Sequence, residues 1–91
     1  MYSIIISASL DKKFQKLAKK DAEQLEMIKK KVEELTNCDS ISIQHYKNLR
    51  SPLNYLKRVH ILKSFVLTFA VDEKNKTISL EDYDHHDNIY E

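Results

Sequence analysis

Residues 53–71, LNYLKRVHILKSFVLTFAV, decide the fold and are predicted to form two short strands joined by a tight turn. In the first strand, Val59 and Ile61 alternate with Arg58 and His60. Because successive side chains of a strand point to opposite faces of a sheet, the aliphatic pair separates from the polar pair. One face is therefore apolar and needs a cover, and the other carries a cation and an imidazole.

The second strand of this stretch extends both faces. Its bulky apolar positions are Phe65, Leu67, Phe69 and Val71, and its smaller alternating positions are Val66, Thr68 and Ala70. The bulky positions continue the apolar face, whereas the smaller ones lie beside Arg58 and His60 and describe the floor of a shallow polar groove. We therefore expect two layers, with helices packed on the apolar face.

Length and composition limit the protein to one modest domain. A chain of 91 residues buries roughly 60–65% of its extended-state surface, so we assign residues 1–91 to a single domain with one core. Cys38 is the only cysteine, which excludes an intramolecular disulfide and suits a reducing cytosol. We expect no signal peptide and no membrane span, because no Lys or Arg precedes the short apolar run at the start and no run approaches the ~20 apolar residues of a span. The sequence predicts a cytoplasmic protein without a membrane partner.

The nearly neutral net charge hides a division along the chain. Residues 1–71 hold 13 Lys and Arg against 7 Asp and Glu, a balance of +6, whereas residues 72–91 hold 2 against 7, a balance of −5. Residues 40–71 contain no acid, and their five cations are Lys47, Arg50, Lys57, Arg58 and Lys63. Such a segment attracts polyanions such as RNA, although the same pattern also fits a solvated strand surface.

Two amphipathic helices are predicted between the first strand and this basic segment. Residues 2–7 are apolar and β-branched, which is typical of a buried strand. A first helix capped by Ser9 and a second capped by Asp21 each carry an apolar stripe, and the second ends at Thr36-Asn37. The stripes are Leu10, Phe14, Leu17 and Ala18, then Leu25, Ile28, Val32 and Leu35. The helices form a hairpin over the apolar face, and Met27 is also expected in the core.

The remaining residues supply the other strands. Ile41 and Ile43 fit either a strand or a packed loop. Residues 72–76 form a polar hairpin turn in which Asn75 is best suited to positive φ, and residues 77–82 form the last strand. Its core-facing residues are Ile78 and Leu80, and its groove-facing residues are Ser79 and Glu81. The order β-α-α-β-β-β predicts an α+β fold with an antiparallel sheet of about four strands.

The acidic tail contains Asp84, His85, His86 and Asp87 in sequence, which raises the question of a metal site. Neighbouring histidines on an extended chain point to opposite sides, and no zinc-binding spacing is present, so we expect no metal here. One imidazole of the tail, together with Tyr90, is expected instead to close one end of the polar groove.

Over essentially its whole length the chain resembles the RelE/ParE toxin superfamily, and within it the RelE-like mRNA interferases of type II toxin–antitoxin systems. The resemblance rests on the element order, on Leu49-Arg50 before the central hairpin, on the strand 57–61, KRVHI, and on the ending. The family's ending is Gly-His-Arg, two spacers, an aliphatic residue and a tyrosine, and residues 84–90, DHHDNIY, match this spacing. Leu62-Lys63 replaces the family's usual hairpin Gly-Asp, in a chain that contains no glycine.

The resemblance implies a compact RelE-like domain that cleaves mRNA on the ribosome and inhibits translation. In that reaction the 2′-OH attacks the adjacent phosphate and leaves a 2′,3′-cyclic phosphate, without a metal or other cofactor. The catalytic residues it implies are Arg50, Arg58, Lys63, His86 and Tyr90, and the further RNA-binding residues are Lys47, Lys57, His60 and His85. The cations would counter phosphate charge, an imidazole would transfer protons, and Tyr90 would stack on a base.

The expected partners follow from the same resemblance. They are a cognate RelB-like antitoxin, the ribosome and mRNA, with operator DNA contacted only through the antitoxin complex. Two other functions stay open: a ParE-like inhibitor of gyrase or another topoisomerase, and a catalytically inert member that only binds its antitoxin. Cleaved mRNA, DNA damage without cleavage, and absence of toxicity would distinguish the three.

Overall fold

The computed structural model describes residues 1–89. Its strands are β1 (Ser3–Ile6), β2 (Lys57–Ile61), β3 (Phe65–Asp72) and β4 (Thr77–His85). Its helices are α1 (Ala8–Lys20), α2 (Ala22–Thr36) and the short α3 (His86–Ile89), with a 3₁₀ helix at Ser42–His45. The predicted α+β order is confirmed, and α3 adds to it. Within residues 1–89, no helix is long and apolar enough to cross a membrane.

The four strands form one sheet in the order β1-β4-β3-β2. β2 pairs antiparallel with β3, and β3 pairs antiparallel with β4, as two consecutive hairpins. β1 instead runs parallel to β4, with Ser3 opposite Thr77, so the expectation of a wholly antiparallel sheet is wrong for this pair. The helical hairpin carries the chain back after β1, and a crossover of this kind allows two strands to run in the same direction.

Side-chain caps determine where the two long helices begin. Ser7 Oγ accepts a hydrogen bond from Leu10 N–H (3.2 Å), so α1 begins directly after it, and the prediction of Ser9 as the cap is wrong. Asp21 Oδ1 accepts from Gln24 N–H (3.1 Å), which confirms the predicted cap of α2.

The core lies between the helical hairpin and one face of the sheet. Val59 and Ile61 are buried there, as their alternation predicted. Further members of the cluster are Leu10, Ile28, Leu35, Leu67, Phe69, Ile78, Leu80 and Tyr83. Met27 has 43% of its surface exposed, so its assignment to the core is wrong; it lies beside the apolar stripe of α2, not within it.

The segment between α2 and β2 is a packed loop, one of the two structures that its sequence allowed. Ile43 is fully buried in the 3₁₀ helix, whereas Ile41 is exposed. Asp39 Oδ1 accepts hydrogen bonds from Ser42 N–H (2.7 Å) and Ile41 N–H (3.0 Å). These bonds, chiefly those from Ser42, lower the pKa of the Asp39 carboxyl and hold the loop closed.

An irregularity in β4 decides which of its side chains reach the core. Its pairing with β3 shifts between Thr68 and Phe69, so that Glu81 is an extra residue on β4 and the strand bulges there. Because the bulge reverses the alternation, Tyr83 is buried in the core and Asp84 is not. A regular strand would have directed Asp84 inward.

The two turns of the β2-β3-β4 meander contain the positive φ angles among the described residues. Leu62 has φ of 58° and Lys76 has φ of 51°. The prediction of Asn75 for this role is wrong, because Asn75 is bonded to Asp72 instead. Its backbone N–H and its Nδ2 donate to the Asp72 carboxylate at 3.1 and 2.8 Å.

Candidate functional site: a cationic groove beside β2

A groove on the polar face of β2 brings three of the predicted site residues together. Its volume is about 650 Å³. β2 contributes Arg58 and His60, the preceding loop contributes Arg50, and Ile89 of α3 lines another part. The other described lining residues are Asn48, Leu49, Ser51, Pro52 and Leu53. Among the described lining residues none is acidic, so the groove has a positive potential.

The register of the β2–β3 pair places Arg58 and His60 in the groove. Arg58 lies opposite Thr68, and His60 lies opposite Val66. Thr68 and Val66 are both buried, whereas Arg58 is half-buried and His60 is exposed. The two groove-facing side chains therefore project from a part of the sheet whose neighbouring residues are well packed.

Hydrogen bonds attach the loop that carries Arg50 to the start of β2. Asn48 Nδ2 donates to Asn54 O (2.8 Å), while Asn48 Oδ1 accepts from Lys57 Nζ (3.0 Å). Lys57 Nζ also donates to Tyr46 O (3.0 Å). The side-chain amide of Asn48 thus connects both ends of the loop. Because Arg50 follows Asn48 by two residues, these hydrogen bonds also restrict the position of Arg50.

The tail folds back onto the β2–β3 turn. His86 N–H donates to Ser64 O (2.8 Å), which fixes the start of α3. The His85 ring packs edge-to-face against Phe65, with 5.7 Å between ring centroids. Both histidines of the tail therefore lie beside the turn that joins the two central strands.

Asp84 stabilises this return of the chain. Its Oδ1 accepts hydrogen bonds from Asn88 Nδ2 (3.1 Å) and from His85 N–H (2.7 Å). These bonds, led by that from Asn88, hold the pKa of the Asp84 carboxyl below its ordinary value. Asp84 is consequently a fixed negative charge at the end of β4.

The other predicted site residues that the structure describes lie outside the lining of the groove. They are Lys47, Lys57, Lys63, His85 and His86. Lys57 alternates with Arg58, so it lies on the core-facing side of β2, with its ammonium bonded to the loop. Lys47 and Lys63 are exposed, Lys63 in the β2–β3 turn. Tyr90 lies outside the described residues.

Most of the described lining residues were given no role in the site by the sequence, among them Asn48, Leu53 and Ile89. Asn48 and Leu53 belong to an irregular segment in which no period indicates the direction of a side chain. In the sequence, Ile89 was identified only as the aliphatic residue of the family's closing motif. The match to that motif was the one signal that could have placed Ile89 beside the groove.

The composition of the groove suits a phosphate-bearing ligand. Arg50 and Arg58 offer forked N–H donors that match phosphate oxygens. The imidazole of His60 adds a ring that can donate or accept a hydrogen bond. Pro52 and Leu53 add an apolar wall against which a base or a ribose can pack.

Two curated relatives match almost the whole length of this chain. No family model matches it. A protein of Methanocaldococcus jannaschii named "Putative toxin RelE4" is 60% identical over 90 residues, which cover 99% of this chain and 92% of that protein. An uncharacterized protein of Methanosarcina mazei is 52% identical over 90 residues, which cover 99% of this chain and 100% of that one.

Solved structures extend the similarity to distant relatives. YafQ from E. coli strain BL21(DE3) has a TM-score of 0.65 at 17% identity, with 100% of both chains covered. The conserved protein HP0892 of Helicobacter pylori has a TM-score of 0.64 at 22% identity, with 99% of this chain and 100% of that one covered. At such identities these structures bear on the fold alone. The similarity to the archaeal RelE4 carries further, and by it this chain belongs to the RelE-like family within the RelE/ParE toxin superfamily.

Proposed function

We propose that the protein is the toxin of a type II toxin–antitoxin system and an endoribonuclease that cleaves mRNA on the ribosome. The observation that carries this proposal is the groove itself, in which Arg50, Arg58 and His60 meet without an acid among the described lining residues. The name of the M. jannaschii relative supports the toxin role. Cytoplasmic action follows from an mRNA substrate.

The chemistry needs three functions, and the side chains in and beside the groove offer each of them. A base takes the proton of the 2′-OH as its oxygen attacks phosphorus, an acid protonates the departing 5′-oxygen, and a cyclic phosphate is left. Arg50 and Arg58 supply positive charge for the phosphate as its negative charge grows. His60 in the groove and His86 at the start of α3 are the candidates for the two proton transfers, each step typically worth ~10²–10⁴-fold. Lys63 and Tyr90 keep the catalytic parts that the family resemblance implies: Lys63 adds positive charge for the phosphate, and Tyr90 stacks on a base or bonds the phosphate.

We also infer that an antitoxin of the RelB kind covers the protein when it is inactive. A second groove, of about 400 Å³, lies where α1 and α2 meet the sheet, and its lining includes Ile6, Phe14, Leu25 and Val32. An exposed apolar groove of this kind favours an amphipathic segment of a partner protein. Contact with operator DNA is expected only through that complex.

The test is induced expression followed by mapping of RNA 5′ ends. Growth arrest with mRNA cut at ribosome-occupied codons is expected for the parent protein, and Arg58→Ala should abolish the cuts. Lys74→Ala, which removes an exposed cation from the distant β3–β4 turn, is the matched control and should cut normally.

Two other outcomes would contradict the proposal. DNA damage without RNA cleavage would identify a ParE-like inhibitor of a topoisomerase. Soluble, folded protein that causes neither effect would identify an inert member that only binds its antitoxin.

A further inference from the structure

Two imidazoles and a carboxylate meet where β4 ends and α3 begins. The rings of His85 and His86 stack with 4.7 Å between their centroids. His85, His86 and Asp87 each offer a ligand atom, and these three atoms all lie within 4.8 Å of one another. The cluster is not part of the described lining of the groove, although Ile89 at the other end of α3 is.

The turn of the chain at this junction brings the two rings to the same side. His85 is the last residue of β4 and His86 is the first of α3. On an extended chain the two neighbouring side chains would diverge, and for that reason no chelation was expected from the sequence. The chain is not extended here, because the backbone changes from strand to helix between the two histidines.

The three ligand atoms lie close enough together for small side-chain rotations to place them around one small divalent cation. Asp87 presents one carboxylate oxygen to each ring: His86 Nδ1 is 3.0 Å from Oδ1, and His85 Nδ1 is 3.5 Å from Oδ2. Two ligands held at zinc-like bond lengths in a tetrahedral arrangement are roughly 3.3–3.5 Å apart. Coordination by His85 Nδ1 would replace the hydrogen bond that this atom accepts from Asp87 N–H (3.2 Å).

Neighbouring contacts hold the cluster in place before any ion arrives. Phe65 packs on the His85 ring, and Ser64 O accepts from His86 N–H. The Asp84 carboxylate, fixed by Asn88, adds a second negative charge close by. Supporting contacts of this kind orient metal ligands and raise their affinity.

We propose that His85, His86 and Asp87 bind a transition-metal ion of the Zn²⁺ or Ni²⁺ kind, and that bound metal inhibits the protein by occupying His86. Imidazole and carboxylate are the ligands that these ions favour, and three protein ligands leave a position for water. The binding stands on the geometry alone. The inhibition rests on the proposed function, because it assumes that His86 takes part in RNA cleavage.

Binding is tested by calorimetry with Zn²⁺ on metal-free protein carrying Cys38→Ser, so that no thiol competes. One ion per chain is expected, and His85→Ala, His86→Ala and Asp87→Asn should each weaken binding at least about tenfold. His45→Ala removes an imidazole outside the cluster and should bind normally. In parallel, Ni²⁺ should broaden the NMR signals of His85 and His86 before that of His45. Unchanged affinity in all three cluster variants would overturn the site.

Inhibition is tested by RNA cleavage with and without stoichiometric Zn²⁺. Asp87→Asn keeps both imidazoles, so it should cleave RNA like the parent but resist zinc. If Zn²⁺ reduced cleavage equally in the parent protein and in Asp87→Asn, the proposed inhibition through this site would be wrong, while the calorimetric evidence for metal binding would stand. If neither protein cleaves RNA at all, the proposed function fails and the metal site is still judged by calorimetry.

Discussion

Arg58 and Val59 are neighbours on β2 that should separate activity from stability. Arg58 faces the groove and Val59 is buried in the core. We expect Arg58→Ala to abolish toxicity while lowering the free energy of unfolding by at most about 1 kcal/mol. Val59→Ala should lower it by about 1–3 kcal/mol through lost burial and leave residual activity in the folded fraction. Growth assays and urea denaturation measure the two effects, and an unfolded Arg58→Ala protein would contradict the assignment.

Tyr83 and Gln24 form a hydrogen bond inside the core that ties α2 to β4. The Tyr83 hydroxyl donates to Gln24 Oε1, and both residues are buried. Tyr83→Phe leaves Gln24 Oε1 without its donor, so we expect the free energy of unfolding to fall by about 1–3 kcal/mol. Tyr55→Phe, at an exposed position, should change nothing measurable. Equal denaturation midpoints for the two variants would show that the buried bond contributes no stability.

Burial of Tyr83 should also make the stability of the protein decrease as the pH rises in the alkaline range. Burial raises the pKa of Tyr83 to about 12, and burial also raises the pKa of Tyr2 to about 12. An unfolded tyrosine loses its proton near pH ~10. Stability from these groups is therefore complete below pH ~10 and declines as pH rises toward 12, because only the unfolded chain releases the protons. Melting temperatures measured from pH 9 to 12 should fall more steeply for the parent than for Tyr83→Phe.

At the scale of one element, the β2–β3 turn contains removable strain. Leu62 adopts φ of 58°, a region that costs a residue with a Cβ atom about 1–2 kcal/mol, and it is largely exposed. Leu62→Gly relieves this cost but adds unfolded-chain entropy, so we expect a net gain of about 0.5–1 kcal/mol. Ser64→Gly, in the same turn without positive φ, should destabilise instead. Thermal denaturation of both variants measures these changes. A lower melting temperature for Leu62→Gly would show that Leu62 is not strained.

The elements also show where sequence reasoning succeeds and where it ends. The β2–β3 hairpin and both long helices were predictable, because their apolar residues repeat with the period of a strand or a helix. The bulge at Glu81 was not predictable, because it depends on the pairing register of β4 with β3, which the alternation within either strand does not reveal. The face of Arg58 and His60 followed from alternation alone. The contribution of Asn48 could not be predicted, because its two side-chain hydrogen bonds form only when the loop has folded.

At the scale of the whole molecule, the uneven charge should appear as salt-dependent RNA binding. The affinity for a short single-stranded RNA should fall with salt concentration as counterions are released from phosphates. Arg58→Ala should reduce the slope of log K against log salt by about 0.7, the value for one phosphate contact on a single strand. Fluorescence anisotropy across a KCl series measures this slope, and Lys74→Ala should keep the parent value. An unchanged slope in Arg58→Ala would remove that residue from the RNA interface.

The parallel pairing of β1 with β4 has a consequence for the order in which the protein is made. Each residue of Ser3–Ile6 is synthesised 74 positions before its partner, since Ser3 lies opposite Thr77 and Ile6 lies opposite Leu80. At about 5–20 residues per second, the first strand waits several seconds for its neighbour. Ile89, which lines the groove, arrives later still. A nascent chain therefore lacks both its parallel strand pair and its complete groove until the segment from Thr77 to Ile89 has been synthesised.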